Sequence, residues 1–233
     1  MPANKLHSYI DERFKQLTGF PPRNFQRETI LKILNRQDVL LRAQSLSGGS
    51  LRSELCKRAP TGSGKTETAI APFLFAQELQ NYLPQGPNKL IYVVPLRTLA
   101  NSLRQRAEVL VEQWSKVSQA PRPLVVTIQT GENPEDPRFE GDIVFCTIDQ
   151  MLSSFLNIPY SVGRGSANVN AGAIFASYLV FDEIHLFDPE RSFVTVLKVL
   201  QQVSGISPFL LMTATLTDEL AAQIEKAISD GNC

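Results

Sequence analysis

Residues 59–66, Ala-Pro-Thr-Gly-Ser-Gly-Lys-Thr, have the types and spacing of a phosphate-binding loop. Ala59 stands where the first glycine of the pattern G-x-x-x-x-G-K-[ST] usually sits. Glycines let backbone N–H groups approach a phosphate, and a helix that begins after the loop adds its positive end. The residues that we predict to bind the nucleotide here are Thr61, Gly62, Ser63, Gly64, Lys65 and Thr66. A Gly/Ser turn that happens to precede a lysine is the alternative.

Two carboxylates follow a short apolar run further along the chain, where 178–181 leads into Asp182 and Glu183. A magnesium nucleotide needs carboxylates opposite its phosphate loop. We predict that Asp182 and the Thr66 hydroxyl hold Mg²⁺, and that Glu183 orients or deprotonates the attacking water. Lys65 supplies positive charge to the phosphates. The alternative is an acid pair that caps the next helix.

His185 comes directly after the acidic pair, and its imidazole can hydrogen-bond a neighbouring loop through either nitrogen. The expected partner is the loop Thr213-Ala214-Thr215, whose small hydroxyl residues suit a tight turn. We therefore place His185 with Lys65, Asp182 and Glu183 in the catalytic group. A satisfied polar histidine at a strand end is the alternative.

The elements that must position these residues are short apolar runs separated by helical segments. They lie at 39–41, 90–94, 124–128, 143–146, 178–181 and 209–212. The runs do not alternate apolar with polar residues, which is typical of parallel strands buried on both faces. The sequence predicts an α/β three-layer sandwich with a mainly parallel sheet, in which ligands bind at the carboxyl ends of the strands.

Three segments lie outside this strand–helix pattern, and the whole chain, 1–233, is expected to form a single domain. A helical extension occupies about 1–37, and insertions interrupt the scheme at about 44–58 and 158–172. Composition favours solvated surface loops for both insertions. The alternative is that one of their basic residues touches nucleic-acid phosphates, and the candidates are Arg52, Lys57, Arg58 and Arg164.

Bulk composition limits the partners and the compartment. The 233 residues contain 23 Lys and Arg against 23 Asp and Glu, so no global positive field attracts nucleic acid. Three scattered cysteines favour reduced thiols in a cytoplasmic protein. Neither a signal peptide nor a membrane span is expected. The two histidines are too few for a His/Asp-rich metallonuclease site within this chain.

In this order, motifs 59–66, 182–185 and 213–215 resemble motifs I, II and III of superfamily-two DExH helicases, in the first RecA-like domain. The resemblance implies ATP and Mg²⁺ as cofactors. Gln26, preceded by Phe20 and Phe25, resembles the glutamine that reads adenine, and 95–100 resembles motif Ia. Thr213 and Thr215 would couple ATP to movement. The residues that the resemblance assigns to the nucleic-acid backbone are Arg97, Thr98, Thr130, Gly131 and Thr147. For each threonine, a helix N-cap is the alternative.

Within that superfamily, the stretch Asp-Glu-Ile-His-Leu-Phe-Asp beginning at Asp182 is similar to the CRISPR-associated helicase of type I interference systems. This resemblance implies an ATP-dependent translocase on single-stranded DNA that works with a CRISPR effector complex. The family's fused His/Asp nuclease is not expected within this chain, which implies a stand-alone helicase with a separate nuclease subunit or, as the alternative, an excised fragment. The second RecA-like domain is also expected to be absent, and the isolated chain to bind Mg-ATP with little hydrolysis.

Other functions stay open from the sequence. An RNA helicase, or a restriction or repair DNA translocase, would use the same motifs. A non-catalytic nucleotide-binding scaffold is an alternative of another class, although Lys65, Thr66, Asp182 and Glu183 are intact. A small-molecule kinase explains neither 95–100 nor 213–215.

Overall fold

Helices and strands alternate along most of the chain. The computed structural model describes residues 3–43, 56–59, 64–84, 86–118, 122–158, 167–188, 190–213 and 218–230. The helices are α1 Ala3–Thr18, α2 Asn24–Leu34, α3 Lys65–Glu78, α4 Arg97–Val117, α5 Ile148–Phe155, α6 Ala167–Phe175, α7 Ser192–Val203 and α8 Asp218–Asp230. The strands are β1 Val39–Ala43, β2 Cys56–Ala59, β3 Leu90–Val94, β4 Val126–Gln129, β5 Ile143–Thr147, β6 Tyr178–Phe181 and β7 Phe209–Thr213.

The described strands form one seven-stranded sheet in the order β2-β1-β7-β6-β3-β5-β4. Every pairing between neighbouring strands is parallel. The carboxyl ends of all the described strands therefore meet at one edge of the sheet, where the candidate site residues follow them. The predicted three-layer α/β sandwich is confirmed.

Alternate residues of each central strand pack against two different helical layers. In β3, Leu90, Tyr92 and Val94 join the core formed with α1, α2, α3 and α4. Ile91 and Val93 join the core formed with α5, α6, α7 and α8. Both faces of the sheet are covered, and this explains why the apolar runs in the sequence do not alternate with polar residues.

The two predicted insertions are partly regular structure, so their description as loops was wrong for the residues that the structure describes. Cys56–Ala59 forms edge strand β2 beside β1, with Arg42 opposite Arg58 and Ala43 opposite Ala59. An edge strand has only one neighbour and tolerates charged residues, so its sequence does not read as a buried run. The other correction is α6, which begins at Ala167 inside the second insertion.

Helix α1 is fastened to α3 and α4 through Arg13. The guanidinium pairs with Glu78, donates to the Val117 carbonyl oxygen at 3.0 Å, and lies over the rings of Tyr9 and Trp114. The Tyr9 hydroxyl donates to the other Glu78 oxygen at 2.7 Å. These contacts hold α1 against the helix that begins at the phosphate loop.

Among the described residues, none of the helices combines the length and the apolar character that crossing a membrane requires.

Candidate active site

Gly64 ends the phosphate loop and begins α3 in a left-handed conformation, with φ +79°. Its carbonyl oxygen accepts hydrogen bonds from the Thr68 N–H at 3.0 Å and from the Thr68 hydroxyl at 2.8 Å. A Cβ at this position would lie 3.0 Å from Gln26 Nε2 and 3.3 Å from Glu67 Oε2. Both the backbone conformation and the close packing therefore require glycine here.

Gln26 connects α2 to the phosphate loop and is buried. Its Oε1 accepts from the Arg23 N–H at 2.9 Å, while Nε2 donates to the Gly64 carbonyl at 3.3 Å and to the Thr68 hydroxyl at 3.1 Å. The amide thus lies at the loop, as the sequence indicates. Its hydrogen bonds in this structure are to the protein itself.

Lys65, Thr66 and Asp182 converge, although they come from different parts of the chain. Asp182 follows β6, and its Oδ2 accepts a hydrogen bond of 2.8 Å from the hydroxyl of Tyr92 on β3. The Thr66 side chain lies close enough to the Tyr92 hydroxyl to lower the pKa of that phenol. The Lys65 ammonium is close enough to act on the Asp182 carboxylate electrostatically. The oxygen atoms proposed for Mg²⁺ therefore belong to one connected group.

The electrostatics of Asp182 reflect its position at a buried strand end. Burial raises the pKa of this carboxyl above its ordinary value, and the neighbouring Glu183 adds to the effect. The hydrogen bond from Tyr92 and the charge of Lys65 act in the opposite direction. An additional cation at this position would favour the ionised carboxylate, which is what a metal ligand requires.

Glu183 adopts a left-handed conformation with φ +51°, which turns the chain sharply after Asp182. Its N–H donates to Asp182 Oδ1 at 2.9 Å, and its Oε2 lies 3.3 Å from His185 Nδ1. The same imidazole nitrogen lies 3.2 Å from the Thr213 hydroxyl at the end of β7. The expected contact between His185 and Thr213 is present.

A cleft of about 540 Å³ opens beside Gly64, between α1, the start of α2 and α4. Its lining includes Phe20, Gln26, Glu67 and Arg106. The Phe20 side chain is 75% exposed, so a large aromatic face is available at the cleft. Glu67 receives hydrogen bonds from Arg106 on one oxygen, Oε1. The cleft combines an apolar surface with polar groups next to the phosphate loop, a combination typical of small-molecule sites.

Sequence reasoning missed Tyr92 and the pair formed by Glu67 and Arg106. Tyr92 could have been noticed, because it is the one polar side chain in the run 90–94 and a buried phenol needs a partner. The pair could not have been found, since α3 and α4 meet only in the folded chain.

The predicted nucleic-acid contacts follow β3, β4 and β5, which are neighbours in the sheet. Arg97 and Thr98 begin α4 and are exposed, and Gly131 is exposed beside them. The Arg97 guanidinium lies 3.1 Å from where a Gly131 Cβ would stand, and it pairs with Glu132 at 2.7 Å. The structure therefore brings Arg97, Thr98 and Gly131 together on the surface.

Thr130 and Thr147 are less accessible, with exposures of 1% and 6%. The Thr130 hydroxyl accepts the Asn133 N–H at 3.1 Å and closes a turn. Thr147 is the N-cap residue of α5, but its side chain makes no capping hydrogen bond. Both threonines lie at the expected edge of the sheet, but their side chains are buried in the protein.

Four predicted residues, Thr61, Gly62, Ser63 and Thr215, lie outside the described residues. The geometry of the site therefore rests on the residues that flank them.

Proteins of known sequence that resemble this chain include two curated helicases. The CRISPR-associated helicase Cas3 of Thermoproteus tenax is 33% identical over 168 residues, which cover 66% of this chain and 28% of that protein. The CRISPR-associated endonuclease/helicase Cas3 of Escherichia coli is 29% identical over 186 residues, covering 68% of this chain and 20% of that protein. The chain thus matches well under a third of the length of either relative.

Solved structures share the fold. T. fusca Cas3 with AMPPNP superimposes with a TM-score of 0.64 at 18% identity, over 94% of this chain and 24% of that one. A DEAD box protein from Methanococcus jannaschii gives a TM-score of 0.60 at 20% identity, over 95% of this chain and 51% of that one.

The sequence profile of DEAD/DEAH box helicases matches residues 23–223, a span that includes the phosphate loop, the acidic pair and Thr213. This chain belongs to the DEAD/DEAH box helicase family.

Proposed function

We propose that this chain is the ATP-binding half of an ATP-dependent translocase that moves single-stranded DNA in type I CRISPR interference. The observation that carries the proposal is the convergence of Lys65 and Thr66, at the start of α3, with Asp182, at the end of β6. Similarity to the Cas3 helicases supports the CRISPR context.

The donor set fits a magnesium nucleotide. Thr66 and Asp182 offer hard oxygen atoms that both lie near the Tyr92 hydroxyl. Mg²⁺ is usually held by one or two protein oxygens, with water and phosphate completing its shell. When bound, the ion neutralises charge on the phosphate oxygens. Lys65 adds a point charge to the same phosphates, and the N-terminus of α3 presents backbone N–H groups to them.

Glu183 is the proposed base of ATP hydrolysis. Its carboxylate is next to the metal ligand Asp182 and is held near His185. In this position it accepts a proton from the attacking water or orients that water. Because His185 also contacts Thr213, we propose that the histidine couples structural changes at the ATP site to the carboxyl end of β7.

The base of ATP is assigned to the cleft beside Gly64, where Phe20 can stack on it and Gln26 supports the wall. For the Gln26 amide to donate to adenine, Nε2 must give up its hydrogen bond to the Gly64 carbonyl or to the Thr68 hydroxyl. We therefore propose that base binding and the geometry of the loop are linked through this amide.

Single-stranded DNA is assigned to the exposed edge formed by Arg97, Thr98 and Gly131. Arg97 provides charge-assisted hydrogen bonds for a phosphate, and nothing in the set suits base edges, so binding is sequence-independent. The proposed partners are a CRISPR effector complex and a separate nuclease subunit.

The nucleotide assignment is tested by titrating the 233-residue chain with a fluorescent ADP analogue in the presence of Mg²⁺. Wild type is expected to bind, and Lys65→Ala is expected to weaken binding at least about tenfold, because a charge-assisted contact is lost. Lys116→Ala is the matched control, since Lys116 is an exposed lysine at the far end of α4. Equal binding by wild type and Lys65→Ala contradicts the assignment.

Hydrolysis by the isolated chain is expected to be slow. In related NTPases an arginine supplied to the transferring phosphate contributes about 10³–10⁵ in rate, and we propose that a second RecA-like domain brings it. ATP turnover by a complete helicase containing this chain should be stimulated by single-stranded DNA more than by RNA. Stimulation by RNA alone would favour the RNA helicase alternative.

A further inference from the structure

Tyr92 is a buried phenol at the centre of the proposed magnesium site. It lies in the middle of β3 with no exposed surface, and its ring packs on Phe145 with 5.0 Å between centroids. Its hydroxyl contacts both Asp182, at 2.8 Å, and the Thr66 side chain. The two side chains that we assign to Mg²⁺ therefore both lie beside the hydroxyl of a third residue, Tyr92.

The chemistry of the three groups fixes the direction of these hydrogen bonds. An ionised carboxylate only accepts, so the single Tyr92 proton is donated to Asp182 Oδ2. The Tyr92 oxygen is then the acceptor for the Thr66 proton. A Thr66 proton directed to that oxygen would leave the lone pairs of the Thr66 hydroxyl for a cation.

Asp182 is also fixed at its second oxygen, because Oδ1 accepts the Glu183 N–H at 2.9 Å. Hydrogen bonds to both oxygens leave the carboxylate little freedom to rotate. Outer partners that orient metal ligands in this way commonly change metal affinity by about 10–100-fold when removed.

We propose that Tyr92 is a positioning residue that prepares Thr66 and Asp182 for the magnesium ion of the nucleotide. The inference rests on the function proposed above, since it concerns the same site. A purely structural tyrosine would contribute to folding stability without changing how Mg²⁺ strengthens nucleotide binding.

The test replaces Tyr92 with phenylalanine, which removes one oxygen atom and keeps the ring. Binding of mant-ADP to the 233-residue chain is measured in EDTA and over a Mg²⁺ titration. For Tyr92→Phe, affinity in EDTA is expected to stay within about twofold of wild type, while the increase in affinity produced by Mg²⁺ falls about tenfold. An unchanged Mg²⁺ effect overturns the inference.

Tyr178→Phe is the matched control. Tyr178 is equally buried on the neighbouring strand β6, and its hydroxyl has no hydrogen-bond partner among the residues that the structure describes. This variant is expected to leave the Mg²⁺ effect unchanged. Equal losses in both variants would indicate a general effect of removing a core hydroxyl and would also overturn the inference.

A double-mutant cycle with Thr66→Val gives a second, independent measurement. If Tyr92 acts through Thr66 and Asp182, adding Tyr92→Phe to Thr66→Val lowers the Mg²⁺ effect by less than it does in wild type. Full additivity contradicts the inference. Failure of wild type to bind mant-ADP at all overturns the proposed function together with this inference, whereas Mg²⁺-dependent binding that survives Tyr92→Phe overturns the inference alone.

Discussion

The imidazole Nδ1 of His185 lies 3.2 Å from the hydroxyl oxygen of Thr213, so a residue of the acidic motif touches the end of the neighbouring strand β7. The same nitrogen lies 3.3 Å from Glu183 Oε2. Nδ1 of His185 therefore lies between the proposed base, Glu183, and Thr213 at the end of β7. A movement of either partner changes the contact that this nitrogen can make with the other.

His185→Ala is predicted to uncouple DNA binding from ATP hydrolysis. Nucleotide affinity should stay within about twofold of wild type, because the contacts of the imidazole that the structure describes are with Glu183 and Thr213 rather than with phosphate-loop residues. Stimulation of ATPase by single-stranded DNA should fall at least about fivefold. The measurement is ATP turnover by a complete helicase containing this chain, with and without DNA. His7→Ala, at an exposed position of α1, is the control. Unaltered stimulation in His185→Ala would refute the role.

Glu132→Gln is predicted to strengthen binding of single-stranded DNA. Glu132 pairs with Arg97 at 2.7 Å, and both side chains are more than half exposed. Removing this competing carboxylate should lower Kd about two- to fivefold, the size expected for an exposed ion pair. Fluorescence anisotropy with labelled DNA measures the effect, which should shrink as salt is raised.

Glu140→Gln separates this local effect from a change in net charge. Glu140 is exposed and precedes β5, so it lies at the opposite edge of the sheet from Arg97. Its substitution removes the same charge and should change Kd little. If both variants bind DNA equally more tightly, Glu132 is not a competitor for Arg97.

Gly64→Ala is predicted to lower the free energy of unfolding by about 1–2 kcal/mol, because a left-handed backbone with a Cβ is strained and Gln26 must move. Gly172→Ala has the opposite expectation. Gly172 lies in α6 with open space where its Cβ would stand, so alanine should stabilise by up to about 1 kcal/mol. Urea unfolding measures the free energy of unfolding of both variants. If both substitutions change it equally, the left-handed conformation of Gly64 does not explain the effect.

Asp38→Asn is predicted to stabilise the protein more at neutral pH than at acid pH. Burial raises the pKa of Asp38 from 3.8 to about 6, against hydrogen bonds from Ser204 and Phe209. The folded state therefore binds protons more tightly than the unfolded state, and wild type loses stability as pH rises from about 4 to 6. The advantage of Asn over Asp should grow by about 1 kcal/mol between pH 5 and pH 7.5 in urea unfolding.

Asp142→Asn should show the reverse trend. Burial acts to raise the pKa of Asp142, but the hydrogen bond and charge of Arg122, with the Val125 N–H, outweigh it and hold the pKa below its ordinary value. The ionised carboxylate thus stabilises the fold above its unfolded pKa, and this contribution is lost as pH falls through the folded pKa. The cost of Asn should be larger at pH 7 than at a pH below about 3, where both states are protonated. A cost independent of pH would contradict this explanation.

The buried strands and the meeting of Lys65 with Asp182 could be predicted from the sequence. Runs such as 143–146 are apolar throughout because helices cover both faces, and parallel strands bring their carboxyl ends to one edge. Strand β2 could not be predicted, since Cys-Lys-Arg-Ala has no apolar pattern and forms a strand only because β1 offers it an unpaired edge.

The exposure of individual side chains was the other feature that could not be predicted from the sequence. Thr130 and Arg97 both follow strands that end at the same edge, yet Thr130 is buried in a turn and Arg97 is exposed. The difference depends on how 130–133 folds back onto itself, which spacing along the chain does not encode. Tyr92 shows the same limit, because its partners lie on α3 and after β6.

Strands β1 and β2 end in the same dipeptide, and their register places Arg42 opposite Arg58 and Ala43 opposite Ala59. Deletion of residues 44–59 would join Arg42-Ala43 directly to Pro60. The amino-acid sequence of the phosphate loop would then be unchanged. Segment 44–57 is thus flanked by two copies of the dipeptide Arg-Ala, and the phosphate loop follows the second copy.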